Sequence, residues 1–294
     1  MIKASTLRAV LGPLVLILCS CGIGETYQED LGKQSQAIVG GNEAWLNSAV
    51  AVTTTQCQLP AANPAVCSAL LISPTTVITA RHCVSFSATS SCPAGVDPSK
   101  LGTFRVAVGC HDIVNNCPAA NWKALASIVT YPGSDHDIAI LHLAQAVTIK
   151  PTRLASPARV AEIKAGDSVT LYGWGMAAQN GYMSPVLKSF ATPIQSIPLV
   201  QPGIQTNPQT FAATCETNPY VGTNYGDSGG PTLVLRDGEW FTVGVTQGGS
   251  YGSSWTQLGL VPYYFNWILS QGSDFPAQSW LPSAQIAAVE AILS

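Results

Sequence analysis

From Val50 to about Val261 the apolar positions come in short, β-branched runs: "AVAVTTT", "ALLI", "TVITA", "FRVAV", "DIAILHL", "SVTLY", "PTLVLR" and "WFTVGVT". Clusters of Gly, Pro, Asn and Ser separate them. This is the punctuation of an all-β sandwich or barrel, not of helices, whose apolar positions would recur every three to four residues. In "LVLRDGEWFTVGV" the pair Asp237-Gly238 stands between two runs and suits a tight hairpin turn with positive φ. Between Ala144 and Ala165 the alternation gives way to Pro, Arg and Lys, which reads as a connection between two halves of about a hundred residues each. The end changes character. "VPYYFNWILSQGS" predicts a helix over 262–270, and Ile286, Val289, Ile292 and Leu293 recur at helical spacing in an extension, 271–294, with one face packed on the domain. No internal repeat is evident.

Only 10% of the 294 residues are charged and 47% are hydrophobic, so a large core is buried and the surface leans on Ser, Thr, Gln, Asn and Gly. The net charge of -3 supplies no basic face for phosphate contacts, which excludes nucleic acid as a partner. Lys3 and Arg8 precede an apolar run, Ala9 to Leu18, too short to span a bilayer, so residues 1–21 read as an export signal and 22–37 as a propeptide. The end of that run, Leu18-Cys19-Ser20-Cys21, resembles the lipobox of bacterial lipoproteins, with Cys21 at the lipidated position and Cys19 a departure from the motif. Export into an oxidising compartment accounts for the cysteines. Seven of the nine follow Ala37, an odd number, so at least one is free or pairs outside that set, Cys21 being one such partner.

The chemistry concentrates at Gly226-Asp227-Ser228-Gly229-Gly230-Pro231. The G-x-S-x-G spacing also fits the nucleophile elbow of α/β-hydrolases, but these need their histidine after the serine. All four histidines, His82, His111, His136 and His142, lie upstream of Ser228. The subtilisin order requires an acid before His82, and only Asp30 in the leader is available. What survives is histidine, aspartate, serine. A serine hydroxyl is a poor nucleophile near neutral pH and needs an adjacent base.

"TARHC" (79–83), "DIAIL" (137–141), "GWG" (173–175), "GDSGGP" (226–231) and "IVGG" (38–41) stand in the order of, and resemble, the motifs of trypsin-like serine proteases of a bacterial secreted type, over residues 38–270. The resemblance implies two packed six-stranded antiparallel Greek-key barrels, over about 48–147 and 165–262, with a C-terminal helix. It implies a triad of His82, Asp137 and Ser228, and an oxyanion hole of the Gly226 and Ser228 N–H groups. Asp135 is the rival acid, but the apolar residues of the motif follow Asp137; His136 and His142 then read as local strand residues. The resemblance further implies a zymogen, in which cleavage before Ile38 frees an amine that pairs with Asp227. It pairs Cys67 with Cys83. Cys57–Cys92 and Cys110–Cys117 are assigned to the rest, with Cys215 left over. At two other positions where the family carries a bridge this chain has Val169 and Val234.

"CHDIVNNC" (110–117) reads as a disulfide-closed loop, so no metal and no cofactor is expected. At the specificity pocket the resemblance points to Gly222, Thr223, Tyr225, Thr246 and Gly248. No carboxylate stands at its floor, Gly222, to pair with Lys or Arg, so the residue before the scissile bond is expected to be apolar or small. Ala37 at the activation cleavage matches that preference and argues against a tryptic activator, leaving another protease or the enzyme itself. The expected partners are thus peptide or protein substrates and an activating protease, around a monomer that is secreted and, before processing, anchored through Cys21 if that residue is lipidated. Two alternatives stay open: a catalytically silent homologue serving as a binding module, and an esterase without peptidase activity.

Overall fold

In a computed structural model, residues 38–58, 65, 67–89, 92–160, 162–176, 183–196, 210–213, 222–248 and 256–275 are described. The expected signal peptide, the propeptide, Cys21, Cys215 and the helix expected beyond Phe275 lie outside the described residues.

The alternation in "AVAV" and "VAV" builds the first barrel and its junction with the second. Its strands are β2 (Ala49–Thr54), β3 (Cys67–Leu71), β4 (Thr76–Thr79), β5 (Phe104–Val108), β6 (Trp122–Lys123), β7 (Leu125–Thr130) and β8 (Ala139–Leu143); β1 (Asn42–Glu43) belongs to the other sheet. The order is β6-β5-β2-β3-β4-β8-β7. Only Ala124 separates β6 from β7, so the two act as one bent strand that closes a ring of six. Along β2 and β5, Val50, Val52, Val106 and Val108 enter the core with Leu70, Ile78 and Ile140. The alternate residues Ala49, Ala51 and Ala107 face outward onto Trp174 and Leu187 of the second half. Strand period two thus sends valine to the core and alanine to the junction, where a small side chain allows close approach.

The second sheet contains β9 (Arg153–Leu154), β10 (Ser168–Gly173), β11 (Lys188–Ser196), β12 (Thr210–Ala213), β13 (Pro231–Arg236), β14 (Glu239–Gly248) and β15 (Thr256–Leu260). Its order is β1-β11-β10-β13-β14-β15-β12, and pairing of β11 with β12 closes β10 to β15 into a second ring of six. β1 adds to the outside of β11, and β9 pairs in parallel with β14. The register Thr170↔Leu233 sets Val169 opposite Val234, and both are buried in one cluster with Leu171, Phe190 and Phe241. Asp237 (φ 54) and Gly238 (φ 78) form the turn between β13 and β14, as a two-residue hairpin requires.

A short helix, α1 (Pro157–Val160), lies in the connection, and α2 (Phe265–Ser270) follows a 3₁₀ turn, Val261–Tyr264. Beyond α2 the chain is latched to the first barrel. Asp274 accepts hydrogen bonds from Ser73 Oγ (2.8 Å), Thr75 N (3.0 Å) and Thr75 Oγ1 (2.5 Å), and Phe275 is buried. Disulfides join Cys57–Cys92, Cys67–Cys83 and Cys110–Cys117.

Candidate active site

The acid and the base come from one strand pair. β4 and β8 are antiparallel with Thr79 opposite Ala139, so the residues just past the end of β4 meet those just before β8. His82 lies there in a 3₁₀ turn, Arg81–Cys83, tied to β3 through Cys83–Cys67. Asp137 Oδ1 accepts the His82 backbone N–H at 2.8 Å, and Oδ2 lies 2.7 Å from His82 Nδ1. With a proton on Nδ1 to satisfy the carboxylate, Nε2 keeps a lone pair. Asp135 meets Ser134 Oγ instead, on the exposed surface. The reading of His136 as a strand residue is corrected: it lies before β8, its Nδ1 is 3.2 Å from the Tyr264 hydroxyl, and it packs against Tyr131. The rings of Tyr131 and Tyr264 hold it there, ahead of the strand. Burial first, then the neighbouring Tyr263, Tyr131 and Asp137, pushes the Tyr264 hydroxyl well above the usual tyrosine range. His142 does lie in β8.

Ser228 sits on a loop sewn to both barrels. Its carbonyl accepts the Ser68 N–H of β3 at 2.8 Å and lies 3.5 Å from Cys83 Sγ, beside His82. Gly229 N donates to Thr246 O (2.7 Å), and Gly230 N to Asp227 O (2.9 Å). Gly226 (φ 94) and Gly229 (φ 79) take left-handed backbone. At Gly229 a Cβ would collide with Thr79 Oγ1 and Ser68 O and meet Ala80 N at 3.0 Å, so glycine lets the serine loop lie directly against the chain entering the His82 turn. Among the described residues, the N–H groups of Gly226 and Ser228 and the Ser228 hydroxyl form no hydrogen bond. The expected His82–Ser228 bond is therefore not closed in this geometry; such bonds commonly tighten only around substrate.

Asp227 is fully buried, its carboxylate accepting hydrogen bonds from Gly175 N (2.8 Å) and Asn224 N (2.9 Å). Burial raises its carboxyl to about 7, against the opposing pull of those two N–H groups. Gly173 and Gly175 of the "GWG" motif make this pocket, because a Cβ on either would collide with the carboxylate. Ile38 has no exposed surface and lies in the second core, yet it holds φ 45, a strained value for a β-branched residue. Next to it Val39 bridges Gly222, whose N–H donates to Val39 O at 3.0 Å. With the chain continuous at Ala37, Asp227 meets only backbone N–H groups among the described residues.

Of the remaining pocket residues, Thr223 is buried and its Oγ1 lies 2.8 Å from Thr256 Oγ1, a partner that sequence reasoning missed. Tyr225 is 70% exposed. The Thr246 backbone is joined to the serine loop: its N–H donates to Gly230 O and its carbonyl accepts from Gly229 N. Among the described residues, a Cβ at Gly248 would touch only Gln257, at 3.7 Å. An open cavity of about 550 Å³ adjoins His82 and Asp137, between Phe86 and His136. Cys67 and Cys83 lie close to His82 as a disulfide, so neither offers a thiolate to a metal.

Two closed six-stranded barrels, with a His–Asp pair on one and a glycine-bounded serine on the other, define a serine protease of the chymotrypsin fold. The trypsin family matches residues 38–268, and the chain belongs to it. It is similar to the chymotrypsin-like elastase family member 1 of Macaca fascicularis (29% identical over 82% of this chain and 91% of the relative) and of Homo sapiens (27%, over 82% and 94%). It is also similar to ovochymase-2 of Mus musculus (28%, over 65% of this chain and 32% of the relative). No helix among the described residues is long and apolar enough to cross a membrane.

Proposed function

We propose that the protein is a secreted serine endopeptidase, made as a zymogen and activated by cleavage between Ala37 and Ile38. The observation that carries the reading is Asp137 accepting both N–H groups of His82, the backbone's and the ring's, beside a serine loop whose Gly226 and Ser228 N–H groups are unengaged among the described residues. In this mechanism His82 Nε2 takes the Ser228 proton as Oγ attacks the peptide carbonyl. Asp137 stabilises the resulting imidazolium, and the Gly226 and Ser228 N–H groups receive the oxyanion. His82 then protonates the leaving amine; water enters and repeats the steps on the acyl-enzyme. No metal or cofactor takes part.

Cleavage before Ile38 is supported by two features. Its φ of 45 costs about 1–3 kcal/mol in a β-branched residue, and cutting the preceding peptide bond removes that constraint. The new ammonium would meet Asp227, a buried carboxylate with no cation beside it among the described residues. A preference for small or apolar residues before the scissile bond rests on the neutral Thr223–Thr256 pair, on Gly222 and Gly248, and on likeness to proteins named elastase. Ala37 suits the same pocket, so self-activation is part of the proposal; a Ser228→Ala protein still processed on its own would exclude it. If Cys21 carries lipid, the same cut releases the enzyme from its anchor. The test is a peptide library incubated with protein whose N-terminus has been sequenced as Ile38. Cleavage after Ala, Val or Leu is expected; cleavage confined to Arg and Lys, or of esters alone, would overturn the reading.

A further inference from the structure

Resting on the catalytic reading, we infer that Gln247 is a positioning residue: its side-chain amide ties the Asp137 loop of the first barrel to the strand that holds the serine loop of the second. Gln247 Nε2 donates to the Asp137 backbone carbonyl at 2.9 Å, across 110 positions of sequence. The preceding residue, Thr246, accepts Gly229 N at 2.7 Å and donates to Gly230 O at 2.9 Å. Two successive residues of β14 therefore hold both halves of the site, the nucleophile's loop by main chain and the acid's loop by side chain. Asp137 in turn fixes His82 through both carboxylate oxygens. A carbonyl oxygen only accepts, so the group facing it must donate; glutamine does so and glutamate at neutral pH does not.

Gly259 of β15 makes room for this strut. A Cβ there would collide with Gln247 Nε2 and lie 2.9 Å from Cδ and 3.5 Å from Cγ, and these three are its nearest atoms. Gly259→Ala therefore displaces the amide and meets nothing else so closely among the described residues. This supplies a second route to the same defect without truncating Gln247.

The experiment uses the full chain processed before Ile38, with Gln247→Ala, Gln247→Glu, Gly259→Ala and the Gln247→Ala/Gly259→Ala double variant. Each is checked for folding by thermal melting. Two rates are read: labelling of Ser228 by a fluorophosphonate with no peptide portion, and kcat and KM on a peptide substrate. Misplacement of reacting groups by about 1 Å costs on the order of a hundredfold. Both Gln247 variants should therefore lose about 10- to 100-fold in labelling rate and kcat with KM nearly unchanged, the glutamate despite its equal volume. Gly259→Ala should show a similar loss alone and no further loss in the Gln247→Ala background. Wild-type labelling rates in Gln247→Ala, or a loss confined to KM, would overturn the inference and make Gln247 a substrate contact or a bystander. An unlabelled wild type would instead overturn the catalytic reading beneath it.

Discussion

The buried Asp227 carboxyl makes the stability of the uncut chain depend on pH in a way that cleavage should weaken. Its pKa is raised from 3.8 to about 7, chiefly by burial. A carboxyl raised on folding binds more protons in the native state than in the unfolded state between those values, so stability falls as pH rises from about 4 to about 7 and then levels. A rise of about three units corresponds to about 4 kcal/mol from this one group. In the proposed activation, cleavage before Ile38 would place an ammonium opposite the carboxylate and recover part of that loss at neutral pH. The assay is urea unfolding of full-length Ser228→Ala protein, uncut and cut by an added protease, from pH 4 to 8. The uncut protein should lose stability across the range, and the cut protein should lose much less. Parallel curves for the two would refute the pairing of Ile38 with Asp227. Asp227→Asn, which cannot ionise, should remove the slope from the uncut protein.

Four further outcomes follow from the geometry. Cut Asp227→Asn protein should stay folded but turn over peptide barely at all, and wild-type turnover would count against the activation pair. Asp137→Asn should lower kcat by about 10⁴, because His82 would take the wrong tautomer; a loss under tenfold in steady-state kinetics would contradict the role. Thr256→Asp sets a carboxylate opposite Thr223 and should admit Lys or Arg before the scissile bond; an unchanged cleavage profile would place that pair outside the specificity pocket. Asp274→Ala removes three hydrogen bonds and should cost about 2 kcal/mol in urea unfolding while leaving turnover per folded molecule intact.

The barrels were legible where strand alternation is strong. β2, β5, β8, β10, β13 and β14 all lie in runs visible as sequence. Closure was not legible: β12 is "TFAA", whose composition carries little strand signal, and the first ring closes through a bend at Ala124 that periodicity does not reveal. At the site, motif order pointed to His82, Asp137 and Ser228, and the structure brings His82 and Asp137 into contact with the Ser228 loop beside them. Gln247 and Thr256 were missed as site residues because their significance lies in partners far along the chain, Asp137 and Thr223. The glycines of "GWG" were visible as a motif, but their physical reason, room for the Asp227 carboxylate, needed the packing.

Fluorophosphonate labelling of the cut protein, with the adduct located by mass spectrometry, tests the central claim most directly. A single adduct on Ser228, absent from Ser228→Ala and strongly slowed in His82→Ala, is the predicted result. A folded, correctly cut protein that takes up no label would contradict the assignment of Ser228 as nucleophile and His82 as its base.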